Sequence, residues 1–160
     1  MASSVSNQVV IRTIRRGDAR VIAAIDAAHT GVLKRAWWED VVARHTRASA
    51  GGGARVGLVA VDPASDKVIG YLLAQVRAFE FGSEPCGWVF AVGVHQDHLR
   101  AQIATQLLAR ARTRFRELGV SIVRTMVRRD DVPVLTFFRS QGFAAGPYQE
   151  LELKLPEVTP

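Results

Sequence analysis

The sequence predicts a single α/β domain in which a mixed, mostly antiparallel sheet is flanked by helices. Three observations predict it. Segments alternating with period two occur near both ends, in "VVIRTIRR" (9–16), which is also rich in β-branched residues, and "YQELELKL" (148–155). Between them lie segments with apolar residues at helical spacing, closed by glycine stop signals. The chain has 160 residues, 48% hydrophobic and 22% charged. That suffices for one sizeable core and is short for two.

The elements follow in order. After the first strand, "GDARVIAAIDAAHTG" reads as a helix, with Asp18 as a cap, a stripe of Val21, Ile22 and Ile25, and Gly31 as its end. "LKRAWWEDVVARHTR" (33–47) reads as a second helix with Trp37, Val41 and Val42 on one face. "ASAGGGA" (48–54) is a breaker rather than a domain boundary, because neither side is large enough to fold alone. "RVGLVAVD" (55–62), the turn 63–67 and "VIGYLLAQVRAFEF" (68–81) make a hairpin. "GSEP" (82–85) turns the chain into "GWVFAVGV" (87–94), apolar enough for burial on both faces. A helix over about 102–118 carries Ala104, Leu107, Leu108, Ala111, Phe115 and Leu118 at helical spacing, with Gly119 as its stop. "SIVRTMVR" (121–128) is a strand, and "DVPVLTFFRSQG" (131–142) a short helix with Pro133 in its first turn. The alternating 148–155 segment closes the sheet, and residues 1–8 are expected to be a flexible N-terminus.

Composition narrows the function. One cysteine, Cys86, excludes a disulfide framework and a Cys-based zinc site, and it fits a reducing compartment. His29, His45, His95 and His98 show no metal-ligand spacing with carboxylates, so no metal is expected. No signal peptide and no apolar run of membrane-spanning length is present, so the expected location is cytoplasmic, with no membrane partner. The net charge of +6 and pI near 10.4 suit an anionic ligand or simply an Arg-rich surface. No nucleic-acid module is recognisable, and the aromatics do not interleave with the arginines, which argues against a nucleic-acid partner.

Two stretches carry a family likeness. "VHQDHLRAQIATQLL" (94–108) leaves a strand, crosses a polar turn and enters a helix. "RRDDVPVLTFFRSQGF" (128–143) follows at matching spacing. Together with the element order, they resemble the GNAT superfamily of acetyl-CoA-dependent N-acyltransferases over nearly the whole chain. The resemblance implies a sheet splayed between its fourth and fifth strands, with CoA in the splay. The physical side is independent of the likeness. A helix N-terminus offers unpaired N–H groups and a positive dipole end, and both suit a pyrophosphate. The cofactor-binding candidates are therefore Val92, Gly93 and Val94 for the pantetheine arm, and Leu99, Arg100, Ala101, Gln102, Ile103, Ala104 and Thr105 for the pyrophosphate. Asp131 stands in the family's Asn position and is also a plain helix cap, and Phe138 stands where the family often has a proton-donating tyrosine. Leu99 replaces the motif's Gln or Arg, and Gln102 replaces its first glycine. Gln102 either narrows the cradle or makes the turn differently.

Acetyl transfer needs a positioned acyl donor, a deprotonated amine, a stabilised oxyanion and a leaving thiolate. The resemblance implies that a backbone N–H on the splayed strand, near Val94, meets the oxyanion here. Met126 stands where some relatives have a basic glutamate, which leaves Glu80 and Glu84 in "FEFGSEP" as candidate bases or solvated turn carboxylates. Glu80 is the better candidate if alternation along 68–81 places it on the apolar face of Ala74, Val76 and Ala78, where burial would raise its pKa. The resemblance thus implies an N-acetyltransferase with acetyl-CoA as cosubstrate and a primary amine of a peptide, protein or small molecule as acceptor. The family's frequent dimerisation leaves a homodimer open. The alternative is an acyl-CoA-binding regulatory module with weak or no catalysis.

Overall fold

The computed structural model describes residues 9–47, 53–99 and 102–156. The expected N-terminal tail and most of the 48–54 breaker lie outside the described residues. The chain falls into two compact units, one ending at Met126 and the other beginning at Val127.

The first unit is built on a five-stranded sheet in sequential order. Its strands are β1 (Val10–Thr13), β2 (Arg55–Asp62), β3 (Lys67–Arg77), β4 (Cys86–Val94) and β5 (Val123–Thr125). The first four pair antiparallel, and β5 runs parallel to β4 over only three pairs, Gly87 to Val89 against Val123 to Thr125. The expected mixed, mostly antiparallel sheet that opens between its fourth and fifth strands is therefore present.

Helices cover both faces of this sheet. Helices α1 (Ala19–Thr30) and α2 (Arg35–His45) bury Ile22, Ile25, Trp38, Val41 and Val42 with Val59, Val61, Tyr71 and Leu73 of the sheet. Helix α3 (Ile103–Glu117) packs on the opposite face. A Cβ built on Gly70 would lie 2.9 Å from Ile103, and one on Gly87 would lie 2.6 Å from the Phe115 ring. Both glycines thus leave room for side chains of α3. Gly31 ends α1 at φ +75°, the left-handed conformation expected of a glycine stop. Trp37 was expected on the buried face of α2. Trp38 takes that place at 2% exposure, while Trp37 is 48% exposed. Their adjacent positions made the two faces a matter of helical phase.

The second unit contains helix α4 (Val132–Ser140). Phe138 is buried there, with the rings of Phe137 and Phe143 each 5.1 Å away, edge to face. Residues 148–155 form no strand, contrary to expectation, and Leu151, Leu153 and Leu155 are exposed. Alternation states which side chains share a face. It does not supply an edge whose N–H and C=O groups would pair with them. No helix among the described residues is long and apolar enough to cross a membrane.

Candidate active site at the open edge of the fourth strand

The opening between β4 and β5 starts at a bulge. Leu73 faces Ala91, but Ala74 faces Val89, so Phe90 is the extra residue. Up to Val89 the edge of β4 is covered. The Gly87 N–H donates to Ile122 O at 2.8 Å, and the Thr125 hydroxyl donates to Val89 O at 2.9 Å. Beyond the bulge, β4 stays paired with β3 but has no strand on its other side among the described residues.

Which backbone groups face that open edge follows from pairing. The His95 N–H donates to Ile69 O at 2.8 Å, so residue 95 faces β3. Successive residues present their backbone groups to opposite edges. Val94 and Val92 therefore face the opening. His29 of α1 agrees with this assignment, for its Nε2 lies 2.7 Å from Val94 O and donates to it as the Nε2–H tautomer. Val92 keeps both its N–H and its C=O toward the opening, and Val94 keeps its N–H. Gly93 faces the other way, under the ring of Tyr71. A Cβ at Gly93 would lie 2.6 Å from Tyr71 Cε1 and 2.8 Å from the hydroxyl. The interior glycine marks close approach of a side chain, while the bulge lies at Phe90.

The strand leads into α3 through a 3-10 turn, Gln96–His98. His95 is exposed and caps this turn, accepting from the Asp97 N–H at 3.3 Å. Gln96 Nε2 donates to Ala28 O at 3.1 Å, which with His29 ties the end of α1 to the junction. Leu99 is exposed, and Arg100 and Ala101 lie outside the described residues. Gln102 has φ 54° and ψ 27°. It makes the left-handed turn that glycine would make, with a side chain attached. The ladder of α3 begins where Gln106 N–H donates to Gln102 O at 3.1 Å. The N–H groups of Ile103 and Ala104 precede it at the positive end of the helix, and Thr105 completes the first turn. Ile103 is buried against Gly70, and Ala104 is half-buried. The structure thus brings Val92, Gly93, Val94, Gln102, Ile103, Ala104 and Thr105 into one continuous strand–turn–helix segment.

The candidate bases differ from expectation. Strand β3 ends at Arg77, so its alternation does not reach Glu80. Glu80 sits in an exposed 3-10 turn, where Arg77 Nε donates to its Oε1 at 2.9 Å and Arg77 Nη2 lies 2.5 Å from Oε2. These contacts lower its pKa, where burial on an apolar face would have raised it. Glu84 and Met126 are exposed. Asp131 caps α4, its Oδ1 accepting from the Val134 N–H at 3.2 Å. Asp131 and Phe138 belong to the second unit.

Two groups near the edge were not anticipated. Tyr71 is buried, and burial first, then the charge of Asp26, raises its pKa. Its hydroxyl makes no hydrogen bond among the described residues. Asp26 is a buried carboxylate of α1 that accepts from Trp38 Nε1 at 3.0 Å. A tyrosine amid "IGYLLA" and an aspartate amid "AAIDAA" carry no sequence signal that separates them from ordinary core and surface residues.

A strand edge laid open at a bulge thus runs into the positive end of a helix. The family model described as Acetyltransferase (GNAT) family matches residues 28–143, and the chain belongs to that family. Among curated proteins, no sequence matches the chain. Solved structures share the fold at low identity. The ribosomal-protein-alanine N-acetyltransferase from Brucella melitensis biovar Abortus 2308 is 19% identical, with 93% of this chain and 100% of that chain covered at a TM-score of 0.71. The aminoglycoside antibiotic 6'-N-acetyltransferase from Acinetobacter baumannii is 16% identical, with 93% and 99% covered at 0.74. A transcriptional regulator from Bacillus halodurans C-125 is 17% identical, with 92% and 100% covered at 0.74.

Proposed function

We propose that this acetyltransferase-family chain is an N-acetyltransferase that uses acetyl-CoA to acetylate a primary amine by direct attack in a ternary complex. The observation that carries it is the open edge of β4, with Val92 and Val94 facing the gap, continuous with the N-terminus of α3. Val92 offers an N–H and a C=O at strand spacing for the amides of a pantetheine arm. The first-turn N–H groups of α3 receive a pyrophosphate, and Arg100 adds positive charge. The small side chain of Ala104 leaves those N–H groups approachable. The Val94 N–H, already held in the strand, serves as oxyanion donor.

Proton handling follows from the titratable groups. Arg77 keeps Glu80 ionised but makes it a weaker base, so the acceptor amine passes its proton to solvent rather than to a tuned carboxylate. Phe138 has no proton to give. The Tyr71 hydroxyl over Gly93 stays protonated because its pKa is raised, so it is the proposed hydrogen-bond donor to the leaving thiolate, which takes its proton from solvent. Cys86 is a free, buried thiol that fits a reducing compartment, and the proposed location is the cytoplasm.

The test is thiol release from acetyl-CoA with a panel of primary amines. Amine-dependent release that falls roughly 10²-fold or more in Tyr71→Phe supports the assignment. Saturable acetyl-CoA binding with no release for any amine would instead support the non-catalytic acyl-CoA-binding module, to which Gln102, Met126 and Phe138 point.

A further inference from the structure

Helix α1 turns one carboxylate inward. Asp26 lies among Ile22, Ala23 and Ile25 and is 9% exposed. Its Oδ2 accepts from Trp38 Nε1 at 3.0 Å and pairs with Lys34 Nζ at 2.8 Å. An indole N–H satisfies a lone pair but does not balance a buried negative charge, which needs a cation. The chain supplies that cation as a primary ammonium on a flexible stem. Lys34 lies in the short connector just before α2, its side chain is 39% exposed, and its ammonium lies 5.9 Å from the Trp37 ring centroid. The carboxylate is thus reached from solvent, between two indoles, by a group any aliphatic amine could replace.

A run of contacts leads from this carboxylate to the open edge of β4. Trp38 packs edge to face on Tyr71 with centroids 5.2 Å apart, and Tyr71 lies over Gly93 between Val92 and Val94. The two rings separate Asp26 from the edge. A cation held on Asp26 is therefore not itself the group on the strand.

We propose that Asp26, with Trp37 and Trp38, forms a cation-anchoring subsite for amines bearing two positive groups, and that Lys34 is its resident occupant. One ammonium of such an acceptor displaces Lys34 from Asp26, and the second is presented at the β4 edge. Describing the ligand as an acceptor rests on the acetyltransferase reading; the binding does not. Lys34 acts as an internal competitor that sets the affinity.

The experiment titrates 1,5-diaminopentane against the full chain without acetyl-CoA, read by tryptophan fluorescence and thermal shift, with 1,5-pentanediol as the neutral control. Lys34→Met should bind the diamine at least about tenfold more tightly than wild type, a gain of roughly 1.4 kcal/mol. It should also show the larger rise in Tm with diamine, because the ligand restores the missing cation. Asp26→Asn, which keeps an acceptor for Trp38 Nε1, should bind neither probe. A Lys34→Met variant that binds the diamine no better than wild type overturns the proposal, as does an Asp26→Asn variant that binds like wild type. Thiol-release assays with the same diamine separate the two readings. Binding without transfer leaves the subsite and removes its ligand as an acceptor, whereas transfer with a KM unchanged in Lys34→Met removes the subsite and leaves the enzyme.

Discussion

Gln102 holds the backbone of a glycine. Its φ of 54° lies in the left-handed region, which costs a side-chain-bearing residue about 1–2 kcal/mol. Glycine at the same position avoids that cost but loses about 0.5–1 kcal/mol through its freer unfolded chain. Gln102→Gly should therefore stabilise by roughly 0.5–1 kcal/mol, seen as a rise in Tm of about 2 °C in a thermal melt. Gly93 behaves in the opposite sense. A Cβ there would sit 2.6 Å from Tyr71, so Gly93→Ala should cost about 1–3 kcal/mol by overpacking and lower amine acetylation by displacing the phenol. Residues of this kind were unevenly legible. For Gln102, motif spacing marked a position that favours positive φ, but the expectation that Gln102 narrows the cradle or makes the turn differently did not foresee a side-chain-bearing residue keeping the left-handed turn. Glu80 was misjudged because alternation applies only while the strand lasts, and β3 stops at Arg77. Tyr71 was missed because the glycine it covers, Gly93, lies on another strand and is distant in sequence.

At the scale of elements, periodicity located β1 to β5 and α1 to α4 with ends shifted by a few residues. It also predicted a closing strand over 148–155 that does not form. Pairing depends on a partner edge, which a local pattern does not encode. The junction of β1 and α1 rests on a contact that the sequence showed only as a candidate cap. Arg12 Nη1 and Nη2 donate to Asp18 at 2.8 and 2.9 Å, and the Arg15 N–H adds a third bond at 2.7 Å. Burial alone would raise the pKa of Asp18, but the bonds from Arg12 and Arg15 outweigh it and leave the pKa lowered. The unfolded carboxylate titrates near 3.9. The stabilisation is therefore complete above about pH 4 and is lost as pH falls through the lower folded value. Asp18→Asn should cost about 1–2 kcal/mol at neutral pH, modest because the Arg12 side chain is a quarter exposed. Urea melts should show the difference from wild type unchanged between pH 7 and 5 and shrinking below about pH 4.

At the scale of the molecule, the family was legible because two separated stretches, 94–108 and 128–143, sit at the right distance within one element order. The acceptor was not legible, since the residues proposed to anchor it come from α1, the α1–α2 connector and α2, which no local motif joins. The +6 charge is consistent with an anionic cosubstrate and with a solvated arginine surface alike, so it carries little by itself. The central claim is that acetyl-CoA binds along the open edge of β4 with its pyrophosphate on the first turn of α3. Isothermal titration calorimetry of acetyl-CoA against wild type and Ala104→Glu tests it most directly, with thermal melts confirming that both are folded. The predicted result is saturable binding to wild type and a loss of at least about 100-fold in the variant, whose carboxylate both fills and repels the site, equivalent to roughly 2.7 kcal/mol. Equal affinity in the two proteins, or no binding to wild type, would contradict it.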